Sequence, residues 1–252
     1  MTKAQAASAA PRHALRQRYP WLLPGGLVLL LIFLTINVLA GGPLIPMDRR
    51  IHKIVHATAK SAAWRWLKAG PVSPARLLID LANVRVAIPA LIAIAVVVAT
   101  RRGSWRPVLT AATGVVLLLG IVISAKILIG RPNPGHSHLP GHQLLGAFPS
   151  GHTTTACVCY LLAVVIIAPY PRGRRGRIAL RAAAVLGFLV GIAMVWCNLH
   201  WFTDVVAGWA LSALIILLTI RLTGQRTGPG QGRQEQPTGP RALALSKDLG
   251  SG

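Results

Sequence analysis

The sequence predicts an all-α polytopic membrane protein, a bundle of about six transmembrane helices spanning residues 21–222. Three observations carry this. The 252 residues are 53% hydrophobic and only 13% charged, where a soluble domain carries about a quarter of its residues as charges. The apolar residues collect in six runs: Trp21–Ala40, Val86–Thr100, Pro107–Ile129, Thr153–Ala168, Ala179–Cys197 and Phe202–Leu222. Each approaches the roughly 20 residues that cross a bilayer. Finally, with an internal amino terminus, the inside segments 1–20, 101–106, 169–181 and 221–252 hold 17 of the 27 Lys and Arg residues, as the positive-inside rule expects.

In chain order, residues 1–20 read as a basic cytoplasmic tail. The first run is too long for a cleaved signal peptide, and no small-residue cleavage pattern follows it. Gly41-Gly42-Pro43 reads instead as an interfacial stop. Beyond it, Ile51, Ile54, Val55 and Thr58 recur at helical spacing with cations between them. That pattern predicts an amphipathic helix on the outer interface, too basic to span, with Trp64 and Trp66 anchoring its far end. The second, fourth and, marginally, fifth runs are short, and draw on flanking residues such as Leu77–Leu81 and Gly151-His152. Residues 223–252, rich in Gly, Pro, Gln and Arg without an apolar period, form a disordered tail. There is no internal repeat and no second soluble domain.

The net charge of +22 follows from these basic flanks, which suit anionic cytoplasmic lipid; nucleic acid is not an expected partner. Cys157, Cys159 and Cys197 lie inside predicted spans. They read as small packing residues, because Cys157 and Cys159 are two apart and point to different helix faces.

Six spans put three polar clusters at the same, outer ends of helices. The first, Lys126 to Pro134, leaves the third span and contains Arg131-Pro132-Asn133-Pro134. The second, Pro149-Ser150-Gly151-His152, enters the fourth. The third, Asn198 to Asp204, joins the fifth and sixth and holds His200 and Asp204. Four residues apart, His200 and Asp204 share a helix face. A carboxylate there either fixes the tautomer of a nucleophilic imidazole or simply staples two helices together. Asp204 is the sole acid between Asp80 and Glu235, and an ionisable group so close to a membrane is expensive unless paired. Ser150-Gly151 at a helix start is either an anion-binding N-terminus or an ordinary N-cap. Lys126 and Arg131 either neutralise a phosphate or snorkel to the headgroups. The conjunction is more specific than any one cluster.

Together the clusters resemble the type 2 phosphatidic acid phosphatase superfamily, which also includes vanadium haloperoxidases. Its signature is Lys, six residues, Arg-Pro; then Pro-Ser-Gly-His; then Ser-Arg, five residues, His, three residues, Asp. Pro149-Ser150-Gly151-His152 matches in full, as does His200, three residues, then Asp204. The segment after Asp48 also looks like the family's region following its first span. Asn133 and Met194 stand where the family carries arginines.

The resemblance covers roughly residues 20–222 and implies a helical-bundle phosphatase core. By that likeness His200 attacks phosphorus, Asp204 orients it, and His152 protonates the leaving alkoxide and then activates water. Lys126, Ser150 and Gly151 hold the phosphoryl oxygens. Asn133 occupies one arginine's place, with Arg131 the nearest replacement and Arg49, Arg50 or Lys53 further ones. No metal or cofactor is implied; His136, His138 and His142 read as loop residues near a headgroup, with metal binding the alternative. The expected substrate is a membrane lipid phosphate or diphosphate, cleaved at the outer face of the cell membrane with both termini cytoplasmic. The rival readings are a degenerate relative that binds lipid phosphate without hydrolysis, a phosphotransferase using the same histidine, and a transporter. No broken helices or matching half-repeats support the last.

Overall fold

A computed structural model describes residues 21–58, 73–134, 145–168 and 173–224. The two tails, Trp64, Trp66, His136, His138 and His142 lie outside the described residues. Among the described residues there are eight helices and no strand. Helix α1 (Leu22–Leu39) is apolar on every side and buries only Leu34 and Asn37. Leu22, Leu29, Phe33 and Ile36 stay exposed; such a surface suits contact with lipid. After a turn through Gly41, α2 (Leu44–Thr58) is amphipathic as its spacing predicts, and the one residue it buries is Asp48.

The structure corrects the reading of the second span. Leu77–Leu81 do not extend it but belong to a separate helix, α3 (Pro74–Leu81). The break is local chemistry. Ser73 caps α3, its Oγ accepting from the Arg76 N–H at 3.1 Å. Asn83 restarts the chain as the cap of α4 (Val84–Arg102), its Oδ1 accepting from the Arg85 N–H at 2.9 Å. Asn is among the preferred residues at that position.

Helix α5 (Arg106–Ile129) ends on Gly130 in the left-handed conformation. Helix α6 (Gly151–Ile167), α7 (Arg174–Trp196) and α8 (Phe202–Leu222) complete the bundle. Five helices (α1, α4, α5, α7 and α8) are long and apolar enough to cross a membrane; α6, with 17 residues, is the shorter apolar sixth. The protein is thus an integral membrane protein. The fifth span begins earlier than its apolar run, so Arg174, Arg175, Arg177 and Arg181 become helical, with stems long enough to carry their charges outward.

Helix α6 is the axis of the bundle, packed by α4, α5, α7 and α8. Ten of its 17 residues are buried. The main core joins Leu91 of α4 and Leu118 of α5 to Val158, Leu162 and Ile166 of α6, and to Leu211 and Ile215 of α8. Small residues let the helices close. A Cβ on Gly208 would sit 3.2 Å from the Ser150 carbonyl oxygen and from Thr153 and Thr154, so α8 packs backbone-close to the start of α6, as membrane helices with small interfacial residues do.

Candidate active site

The three polar clusters meet at one end of the bundle, held there largely by backbone hydrogen bonds. Gly130 closes α5 by donating to the Lys126 carbonyl at 3.1 Å, and the returning strand of chain attaches to the same turn. Gly146 N–H donates to Lys126 O at 3.2 Å, and Ala147 N–H to Arg131 O at 2.7 Å. A side chain at 146 would fall 2.7 Å from the Arg131 nitrogen; only glycine fits between these backbones. The Lys126 ammonium then donates to the Gly146 carbonyl at 2.6 Å. Phe148-Pro149 is a cis peptide. The Ser150 N–H donates to the Asp204 carbonyl at 3.0 Å, tying the start of α6 to α8.

The third cluster forms because α7 stops. Asn198 takes a left-handed conformation, φ 56°, which Asn tolerates better than most residues. Leu199 and His200 N–H groups then donate back to the Met194 carbonyl at 3.0 and 3.3 Å. His200 and Asp204 do not share a helix face as their spacing suggests, since α8 begins only at Phe202. They still meet. Asp204 is the third residue of α8, and its Oδ2 turns back to accept the Trp201 N–H at 3.0 Å. That return brings Oδ2 to 3.4 Å from His200 Nδ1. The capping carboxylate and the imidazole's partner are one group.

Arg131 departs from its expected role. Its guanidinium is buried behind the site, donating to Asp204 Oδ1 at 2.5 Å, Thr203 Oγ1 at 2.7 Å and Asp48 Oδ2 at 2.7 Å. Thr203 also donates to Asp48, through its N–H at 3.1 Å and its hydroxyl at 2.5 Å. Trp201 packs on the guanidinium, 5.2 Å from ring centroid to Cζ, and its indole N–H donates to Pro132 O at 2.9 Å. Two carboxylates and one guanidinium leave a net charge of −1 in a site closed from solvent. Arg131 cannot also bind an anion in the cavity, because its fork is used.

In front of this network lies a cavity of about 700 Å³. Lys126, Asn133, Gly151, His152, Met194 and His200 line its polar end; Leu118, Leu119, Val122 and Ile123 of α5 line an apolar wall. Five of the eight expected site residues therefore share one cavity. The other three do not line it: Asp204 stands behind His200, Arg131 behind Asp204, and Ser150 is fully buried with its Oγ 2.9 Å from Thr153 Oγ1. The Lys126 stem packs against Gly151, where a Cβ would stand 3.4 Å from its Cε. Arg49, Arg50 and Lys53 do not line the cavity either.

Sequence reasoning missed three contributors. Asp48 had a usable signal, being one of only five acids in the chain and set beside a predicted span. Thr203 and Arg85, the latter at the cavity's α4 edge, had none. Among the described residues, no group of three or more His, Cys, Asp or Glu is placed to hold a metal ion.

Comparison with known proteins agrees with this geometry. Residues 107–227 match the PAP2 superfamily. The chain is 33% identical over 95 residues to phosphatidylglycerophosphatase B of Bacillus subtilis, covering 37% of this chain and 46% of that protein. It is 34% identical over 103 residues to lipid A 1-phosphatase of Rhizobium johnstonii, covering 37% and 38%. It thus spans less than half the length of these curated relatives. In three dimensions it is similar to the crystal structure of a transmembrane PAP2 type phosphatidylglycerolphosphate phosphatase from Bacillus subtilis. There the TM-score is 0.65 at 23% identity, covering 80% of this chain and 96% of the other; the fold is shared. Residues 107–227, the segment similar to the PAP2 superfamily, contain all three polar clusters.

Proposed function

We propose that this protein is a membrane-embedded phosphatase of lipid phosphates or diphosphates that works through a phosphohistidine. The observation that carries the reading is the convergence of His200, His152 and Lys126 on one cavity, with Asp204 behind His200. Nδ1–H donation to Asp204 leaves the His200 Nε2 lone pair free to attack. In the first step Nε2 bonds to phosphorus and the P–O bond to the lipid breaks. His152, protonated, gives its proton to the departing alkoxide, which leaves as the lipid alcohol. In the second step His152 takes a proton from water, the hydroxide bonds to phosphorus, and the P–N bond breaks to release phosphate. Lys126 and the N-terminus of α6, whose backbone N–H groups and dipole favour anions, stabilise the charge that accumulates on the phosphoryl oxygens.

The apolar wall of the cavity supports a lipid substrate, with the tail against α5 and the headgroup at His200. Phosphatidate, phosphatidylglycerophosphate and polyprenyl phosphates or diphosphates share that chemistry. We assign the site to the outer face of the cell membrane with cytoplasmic termini. The basic residues Arg101, Arg102, Arg106, Arg174 and Arg175 at the opposite helix ends support this orientation. The residues Asn133 and Met194 favour a second reading, a protein that binds lipid phosphate without cleaving it.

One experiment separates the two. Phosphate release from a panel of lipid phosphates is measured in detergent micelles beside His200→Ala. The phosphatase reading expects release by the native protein alone, with an acid-labile phosphoryl group trapped on it. Equal release by both proteins, or none by either, overturns it; binding without release establishes the second reading.

A further inference from the structure

The site has lost two expected arginines, and Arg131 is engaged elsewhere. A phosphate dianion needs more compensation than Lys126 alone provides, especially where water is scarce. Among the described lining residues the cavity has one arginine, Arg85, an exposed residue at its α4 edge. Its backbone N–H is capped by Asn83. Its side chain has no hydrogen bond or ion pair among the described residues, even with Asp80 on the preceding helix. Among the described residues it is a cation without a side-chain partner, at the edge of a cavity lined by His200.

Its height in the bundle follows from a contact at the far end. Arg102, closing α4, donates to the Ile166 and Ile167 carbonyls at 3.0 and 2.7 Å, so the last turns of α4 and α6 lie side by side. The two helices run in the same direction and rise by about 1.5 Å per residue. Sixteen residues back from Ile167 is Gly151, the start of α6; sixteen back from Arg102 is Val86. Arg85 therefore stands within about one helical turn of the height of the α6 N-terminus.

We propose that Arg85 is a phosphate-binding residue of this site, supplying from α4 the guanidinium that positions 133 and 194 lack. This rests on the lipid-phosphate reading above and adds to it a residue outside all three clusters. Arg85 and Lys126 line the same cavity, so phosphoryl oxygens bound there are offered both an ammonium and a planar fork that donates two parallel hydrogen bonds. Lysine at 85 retains charge but not the fork.

The test uses the full chain in mixed micelles with a lipid monophosphate. Arg85→Gln raises KM by about 10- to 100-fold, the worth of a charge-assisted hydrogen-bond pair, and Arg85→Lys falls between. Because the side chain has no partner among the described residues, both variants keep the native melting temperature, which is measured alongside. Placing Met194→Arg in the Arg85→Gln background recovers part of the loss. Arg85→Gln with KM within about twofold of native overturns the proposal while leaving the phosphatase reading intact. Orthovanadate titrated against tryptophan fluorescence, with Trp201 beside His200, tests Arg85 independently of turnover. If the native protein binds vanadate but does not hydrolyse, weaker binding by Arg85→Gln supports Arg85 and sinks only the catalytic reading. A native protein that neither hydrolyses lipid nor binds vanadate overturns both.

Discussion

The two sides of His200 are built on opposite plans. Behind it, the Asp204 carboxylate takes donors from Trp201, His200 and Arg131, and Asp48 takes donors from Arg131 and both donors of Thr203. In front, Lys126 is held by backbone carbonyls, Met194 offers only an apolar surface, and Arg85 has no side-chain partner among the described residues. The back is satisfied by protein groups alone; on the proposed reading the front is completed by the lipid phosphate. A site that must hold a nucleophile rigidly while exchanging substrate benefits from that division, because preorganisation belongs where nothing moves.

Removing the group that joins the two sides has the largest expected effect. His200→Ala lowers lipid phosphate hydrolysis by at least about 1,000-fold with little change in melting temperature, measured by phosphate release and thermal unfolding in the same detergent. Arg131→Met attacks the back alone. It strands two buried carboxylates, so the expected cost is about 3–5 kcal/mol of stability, read as a depressed unfolding midpoint. Asp48→Asn in the Arg131→Met background recovers part of that loss, because one unpaired charge is gone; a further fall would show that the two residues do not act as a pair. Gly146→Ala forces a methyl against the Arg131 backbone and costs about 1–3 kcal/mol, with activity lost in proportion as Lys126 shifts. On the front, Met194→Arg raises kcat/KM by about 10-fold as a missing donor returns; a decrease would show that the cavity has been rebuilt around its own cation. The smallest effect is expected away from the chemistry's axis. Asn83→Ala removes a helix cap and costs about 1 kcal/mol, with a modest rise in KM because Arg85 follows it.

Much of the bundle is legible in the sequence, since hydrophobic runs and basic loops obey the bilayer directly. Helix ends are less so. The break between α3 and α4 depends on caps at Ser73 and Asn83, whose signals are overwhelmed by the apolar residues around them. The shared location of Lys126, His152 and His200 follows from helix parity alone. Their environment does not. Arg131 reads from the sequence as a phosphate-binding candidate, yet it lies at the α5 terminus where its backbone bonds to Ala147 and its guanidinium to Asp48 and Asp204. Asp48 is 83 residues from Arg131, a distance across which no local pattern speaks. Arg85 lies outside every cluster, and only the packing of α4 against α6 brings it to the cavity.

The shortness of α6 has a consequence for immersion depth. Seventeen residues rise about 25 Å, less than the roughly 30 Å of a bilayer's hydrocarbon interior. Both ends of this helix then fall short of the headgroup planes. At one end Arg102 fills the last carbonyls, where solvent would otherwise do so. At the other end, a helix centred in the bilayer would hold its opening N–H groups and His152 a few ångströms below the interface. On the proposed phosphatase reading, a headgroup must then be drawn downward to react, and the water that ends the cycle must descend with it. Immersion of this kind selects for substrates that remain anchored by their tails and against phosphates that can diffuse away.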